Sequence, residues 1–150
     1  MATKKEPLNI SFKINAIELI SQSVSAAPTN EIDIEELNYN IGIEIQYDAV
    51  IGHIKITPTI SVCSKDNTCE FGKLSIDCIY EIFDFKEAIK HDKVNGPILP
   101  MPFIHTLISI ALSTSRGIMF SAFRGTILQK SILPIVDPTA FVPNPNNTAS

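Results

Sequence analysis

The sequence predicts an α+β fold, strands first and one long helix after them, and three observations carry the prediction. Residues 37 to 47 alternate apolar and polar without a break. Two further runs, about 52 to 63 and 69 to 83, keep the same two-residue period on either side of a polar turn, Ser64-Lys-Asp-Asn-Thr68. Between Lys93 and Arg116 lie 22 residues without a formal charge, rich in large apolar side chains. Strands gathered ahead of a helix, instead of alternating with helices, indicate α+β and not a parallel α/β sheet. At 150 residues the chain has the size of one domain, 1–150, with room for a real core.

The sheet region spans about 8–83. Its first strand places Ile10, Phe12 and Ile14 on one face, and then the apolar phase moves from even to odd numbers at Ile17 and Leu19. Such a switch requires a bulge near Ala16 or a change of face. After Ala26-Ala-Pro28, the acidic stretch Glu31 to Glu36 reads as a solvated loop, with a docking surface for a basic partner as its functional alternative. The second strand puts Leu37, Tyr39, Ile41, Ile43, Ile45 and Tyr47 on its core face. In the third, Ile54, Ile56, Ile60 and Val62 point inward, and Pro58 calls for an edge position or a local irregularity. The fourth buries Leu74, Ile76, Cys78, Tyr80 and Ile82. Centring the intervening turn on Asp66 pairs Ile56 with Ile76 and Ile54 with Cys78, and sets Cys63 opposite Cys69. That arrangement would allow a disulfide under oxidising conditions and two thiols in a cytosol.

Residues 84 to 99 read as a charged connection closed by Asn95-Gly96-Pro97. The helix follows, from about 100 to 123, with Gly117 a kink or stop. Phe103, Leu107, Ile110 and Ala111 form one stripe, and Ile104, Ile108 and Leu112 fill much of the remaining circumference. Leaving three or four of these in water at roughly 1.5–3 kcal/mol each would consume much of a domain's stability. A second copy of the chain is therefore expected to cover Phe103, Ile104, Leu107, Ile108 and Leu112 as an oligomer interface. Beyond Gly125, Asp137-Pro138 can start a helix that Pro143 limits to about one turn. Residues 143–150 read as a mobile tail.

Composition narrows the function. A net charge of −4, with no basic cluster beyond Lys4-Lys5, argues against nucleic acid as a partner. The N-terminus runs into an alternating strand and not an apolar signal core, which reads as unprocessed and cytoplasmic. Prolines, His105 and hydroxyl residues interrupt the long apolar segment, which argues against direct membrane insertion. Three cysteines without a paired motif suit reduced thiols and assemble no metal site. Phosphate loops, nucleophile elbows and zinc-protease motifs are missing, so no cofactor and no enzymatic activity is expected. His53, His91 and His105 read as surface or packed histidines. A nucleophile built from Cys63 or Cys69 with His53 would have to span about ten residues of strand at roughly 3.3 Å each.

Several short stretches resemble the SecB-type protein-export chaperones. Asn9-Ile-Ser-Phe12-Lys-Ile14 is similar to that family's first strand, and Thr68-Cys69-Glu70-Phe71 with Leu74-Ser75-Ile76 to its fourth. Ile98-Leu99 through Pro102-Phe103 resembles its helix start. Arg124-Gly125-Thr126 ahead of Gln129, Ile132, Pro134-Ile135 and Phe141 resembles its C-terminal stretch. The resemblance covers about residues 8 to 141 and rests on the order of elements more than on any single motif. It implies a four-stranded antiparallel sheet packed on one long C-terminal helix, in protomers assembled as a dimer of dimers. It also implies an ATP-independent chaperone that holds unfolded client polypeptides for export, with SecA as a further partner. The alternative is a SecB-like interaction protein dedicated to one client. An enzyme with a cysteine nucleophile is a third and lesser reading.

For such a protein, Phe71, Phe83, Phe85, Phe120 and Phe123 are candidates for the polypeptide-binding grooves, against the plainer reading of core or subunit interface. Glu44, Asp48, Asp77 and Glu81 are candidates for an acidic docking face, against the plainer reading of a solvated one. Two departures stand out. This chain has two Arg-Gly pairs where the family's familiar members have one, and its second helix is short or absent. The tail from Asn144 shows none of the character that would secure SecA binding.

Overall fold

The computed structural model describes residues 10–25, 36–85, 90–92, 96–98 and 100–141. Leu8, Asn9, the acidic loop 31–35 and the tail 143–150 lie outside the described residues. Four long strands, β1 (Phe12–Val24), β2 (Leu37–Asp48), β3 (His53–Ser64) and β4 (Glu70–Ile82), form one antiparallel sheet in the order β1-β4-β3-β2. The two-residue period sends one set of side chains to the core: Ile54, Ile56, Ile60 and Val62 from β3, and Leu74, Ile76, Cys78, Tyr80 and Ile82 from β4, all nearly inaccessible to water.

The irregularities have local causes. On β1 the register slips between Ile14 and Ala16, the bulge that the phase switch requires, and again between Leu19 and Ser21. Pro58 is interior, since β3 pairs with strands on both sides, but the ladder to β4 skips from Ile56 to Thr59 around it. The β3–β4 turn corrects one expectation. Ile56 pairs with Cys78 and Ile54 with Tyr80, two residues from the register centred on Asp66, and Cys63 faces Glu70 instead of Cys69. Asn67 takes a left-handed conformation (φ 60°), while the Asp66 carboxylate accepts hydrogen bonds from the Ser64 hydroxyl and from the Thr68 N–H and hydroxyl. This turn, not burial, sets the register, and all three cysteines are free thiols. Within the expected charged connection lies a short hairpin, β5 (Lys90–Asp92) with β6 (Gly96–Ile98).

Helix α1 (Met101–Ala122) has proline in its first turn and runs through Gly117 without a break. It ends at Phe123, whose N–H still donates to the Met119 carbonyl, with Gly125 at φ +76° just beyond. Its N-terminal end is seated by aromatic edges, Phe103 on Phe12 and Phe12 on Tyr80, and by the Tyr80 hydroxyl donating to the Leu107 carbonyl at 2.9 Å. At the other end Phe123 lies against Gly72, so the helix runs antiparallel to β4.

The helix corrects the expected oligomer interface. Phe103, Ile104, Leu107, Ile108 and Leu112 are buried within the protomer itself. The second surface that this apolar helix demands is supplied in cis by residues 126–141, which return along it as an irregular strap ending in a 3-10 turn (Pro138–Phe141). Arg116 ties strap to helix, its Nε donating to the Leu133 carbonyl at 2.8 Å and its Nη2 to the Pro134 carbonyl at 3.1 Å. The helix is long and apolar enough to cross a membrane by length and composition, yet here eight of its residues are buried against sheet and strap. The second helix is reduced to that single 3-10 turn.

Candidate functional site

The two layers do not cover the sheet evenly. Helix α1 lies over β3 and β4, and the strap reaches β2, where the Tyr39 phenol lies against the Ile132 backbone and the Ser131 hydroxyl and is raised above its ordinary pKa by burial. Among the described residues no element covers the helix side of β1 between Phe12 and Val24, which themselves pack against the core. The pairing of Ile14 with Tyr80, Ile17 with Cys78 and Leu19 with Ile76 puts these three β1 side chains on the core face of the sheet. They nevertheless remain 46%, 44% and 51% exposed, and Ile20, in the second bulge, 54%.

The helix supplies a wall. At 100° per residue, Ile110, Thr114 and Ile118 share the flank of Phe103, which touches β1 through Phe12; all three are half-buried. The result is an apolar groove whose floor is β1 and whose side is α1. From Ile14 to Leu19 it runs about 16 Å at roughly 3.3 Å per residue. Lys13 and Glu18 pair with Glu81 and Asp77 and so belong to the opposite face, which leaves the groove floor without a charge. Its chemistry is desolvation of apolar side chains. The outer edge of β1 also presents backbone groups, although bulges at both ends restrict regular pairing there to the short stretch between them.

The five phenylalanines fall into different environments. Phe85 and Phe123 are core residues, 5% and 1% exposed, and Phe71 is half-buried against the core. Burial removes Phe85 and Phe123 as contact residues for a client. Phe83 and Phe120 are exposed, at 44% and 55%. They do not converge: Phe83 follows the β4 end beside the start of α1, with the Lys13 ammonium 6.0 Å from its ring, whereas Phe120 sits one turn from the helix end. About 25 Å of helix separates these two ends at 1.5 Å per residue.

The four carboxylates do share the polar face, because Glu44 pairs with Thr57, and Asp48 with His53, which in turn pairs with Glu81. They are not a free acidic surface. Asp77 is almost buried, accepts a 2.6 Å hydrogen bond from the Thr57 hydroxyl and has Lys55 at 3.9 Å. Glu81 is paired with Lys13 at 3.1 Å, and Asp48 accepts from the Val50 and Ile51 N–H groups in the β2–β3 turn. Glu44 stays exposed and accepts from Gln46.

Burial pushes the Cys78 thiol up to about 11, Cys63 is buried beside the Asn40 amide, and Cys69 is exposed in a turn. His53 lies at the opposite end of β3 from Cys63. His105 is half-buried with its Nε2 lacking a hydrogen-bond partner. No group of three potential metal ligands occurs among the described residues. The residues missed by sequence reading are Ile14, Ile17, Leu19 and Ile20. Their signal was the apolar content on both sides of the phase switch, more than a bulge alone requires.

No family model matches this sequence, and no curated protein matches it. Among solved structures, the Mycobacterium tuberculosis SecB-like chaperone Rv1957, in complex with a ChAD peptide from the Rv1956 HigA1 antitoxin, matches with a TM-score of 0.53 at 7% identity. The match covers 84% of this chain and 86% of that one. In strand order, helix and extent, this chain has the α+β architecture of a SecB-like fold.

Proposed function

We propose that this protein is an ATP-independent holding chaperone, working in the cytoplasm, that binds apolar segments of non-native polypeptides without making or breaking a bond. The observation that carries the reading is the apolar groove of β1, exposed on the core face of the sheet and covered by none of the described residues. Completing the burial of four half-exposed aliphatic side chains is worth about 3–6 kcal/mol before any ordering cost. One groove alone would therefore bind in the millimolar range or little better, since a millimolar Kd corresponds to about 4 kcal/mol. Useful holding requires several linked grooves, which is the physical case for a tetramer. The similarity to a chaperone solved with a bound peptide supports a polypeptide as ligand.

Coupling to SecA has weaker support, because Asp77 and Glu81 are already matched by lysines of the same chain. That internal pairing, with a groove long enough for only about five extended residues, favours a second reading in which the protein serves one dedicated client. The test is binding of the full chain to several unrelated polypeptides, each presented unfolded and native, alongside an I17D/L19D variant. Micromolar binding to many unfolded chains and no native ones, weakened at least tenfold in the variant while its circular dichroism is unchanged, is the expected result. Binding to a single polypeptide selects the second reading, and binding to none refutes both. Light scattering under the same conditions gives the assembly, for which a monomer would remove the multivalent argument.

A further inference from the structure

The strap is chemically an extended apolar polypeptide lying beside a helix and over a strand, and its anchoring does not depend on regular structure. Arg116 holds it by two consecutive main-chain carbonyls, Leu133 and Pro134, groups that every polypeptide carries. Tyr39 touches it through the Ile132 backbone and the Ser131 hydroxyl. Only two of its large side chains, Leu128 and Leu133, are fully buried, whereas Ile127, Ile132 and Ile135 are 42%, 58% and 92% exposed. The inward residues Leu37, Tyr39, Ile41, Ile43 and Ile45 of β2 stay half-buried against the core, so the cover on this strand is shallow. The strap leaves the helix through Gly125, whose φ of +76° and open surroundings suit a pivot.

We propose that residues 126–141 occupy in cis a second polypeptide-binding site, made of Arg116, Tyr39 and the inner face of β2, and that an extended apolar segment of a client displaces them. This rests on the chaperone reading above and adds a site to it. Recognition in this site is largely independent of sequence, since the guanidinium reads carbonyls and two apolar anchors five residues apart complete the fit. None of the described residues covers the groove of β1, whereas the β2 site opens only when a client competes successfully with the strap. The occupied strap also keeps β2 from offering apolar surface when no client is present.

The test is hydrogen exchange of the full-length protein with and without a saturating reduced and carboxymethylated, permanently unfolded polypeptide. Client binding is expected to speed exchange across Gln129 to Ala140 at least fivefold while the β3–β4 amides keep their protection. Leu133→Ala, which removes a strap anchor and leaves Arg116 and Tyr39 in place, is expected to loosen the strap without client and to bind the same polypeptide at least threefold more tightly. Leu128→Ala, which removes the other anchor, should act in the same direction and serves if Leu133→Ala does not fold. Strap amides that are unchanged or slowed by client, or variants that bind more weakly, overturn the proposal and leave the β1 groove standing. Faster strap exchange on raising protein concentration in the absence of client would mean exchange of straps between copies and would also overturn it. No polypeptide binding by wild type or either variant overturns the chaperone reading along with this one.

Discussion

Gly72→Ala tests how the strap is rooted on the sheet. Gly72 lies in β4 between Val24 of β1 and Val62 of β3, and it is buried. A methyl group there would overlap Leu128 Cδ1, approach the Ser23 carbonyl oxygen to 3.2 Å and meet Phe123 Cζ at 3.5 Å. Carbon atoms prefer about 3.5–4.0 Å, so Leu128 must retreat by more than an ångström, and at 1% exposure it has no solvent to retreat into. The backbone contact to Ser23 cannot be relieved by a rotamer change. Overpacking of this kind costs about 1–3 kcal/mol, a loss of folding equilibrium between about fivefold and somewhat over a hundredfold. Urea unfolding followed by circular dichroism measures it. Leu128→Ala alone should cost about 2–5 kcal/mol through its cavity. In the double variant the new methyl enters the space that Leu128 vacated, and the combined cost should fall short of the sum by at least about 1 kcal/mol. A neutral Gly72→Ala, or additivity within about 0.5 kcal/mol, would refute the close approach of strap and sheet.

Tyr80→Phe removes a fully buried hydroxyl that donates to the Leu107 carbonyl and should cost about 0.5–1.5 kcal/mol in the same assay. Burial first, and then the neighbouring Cys78, raise the Tyr80 phenol above its ordinary range. Its contribution is therefore complete below about pH 10 and declines above it, and Tyr80→Phe should lose less stability at high pH than wild type does. Asp66 is held down to about 2 by the Ser64 hydroxyl and then by the Thr68 hydroxyl and N–H. That contribution is present above the unfolded value of about 3.9 and is lost as the pH falls toward 2. Thermal midpoints of wild type and Asp66→Asn should accordingly converge over that interval, and a constant difference would refute the assignment. Alkylation at pH 8, read by mass spectrometry, should modify Cys69 rapidly and leave Cys63 and Cys78 protected, since burial both shields Cys78 and keeps its thiol protonated. Equal rates at all three would contradict the packing.

The strands were legible because alternation reports directly on faces. The run from Leu37 to Tyr47 and the inward sets of β3 and β4 appear in the fold as read, and the change of phase at Ile17 corresponds to the register slip after Ile14. The β3–β4 register was not legible from burial, and the reason is general. A shift of two residues preserves every side chain's face, so the hydrophobic pattern is blind to it. The decision falls to turn chemistry, namely the left-handed Asn67 and the three hydrogen bonds converging on Asp66. The register centred on Asp66 set Cys63 opposite Cys69; the observed ladder, with a bulge between Val62 and Cys63, pairs Cys63 with Glu70, and the case for that disulfide goes.

The site was misplaced for a related reason. An uncharged helix demands cover, and the demand says nothing about who supplies it. Ile108 and Leu112 looked like surface that only another subunit could bury, yet they are 0% and 3% exposed, because a C-terminal segment with too many prolines to form a helix can still lie along one. Arg116 made the difference legible in retrospect: a cation inside an apolar helix needs acceptors, and the carbonyls of a proline-marked segment, which lacks regular hydrogen bonding of its own, provide them. Once the strap is spent on the helix and β2, none of the described chain remains for β1. The surplus apolar surface that the sequence announces is real, and its place is Ile14 to Ile20 on the strand edge, where none of the described residues covers it.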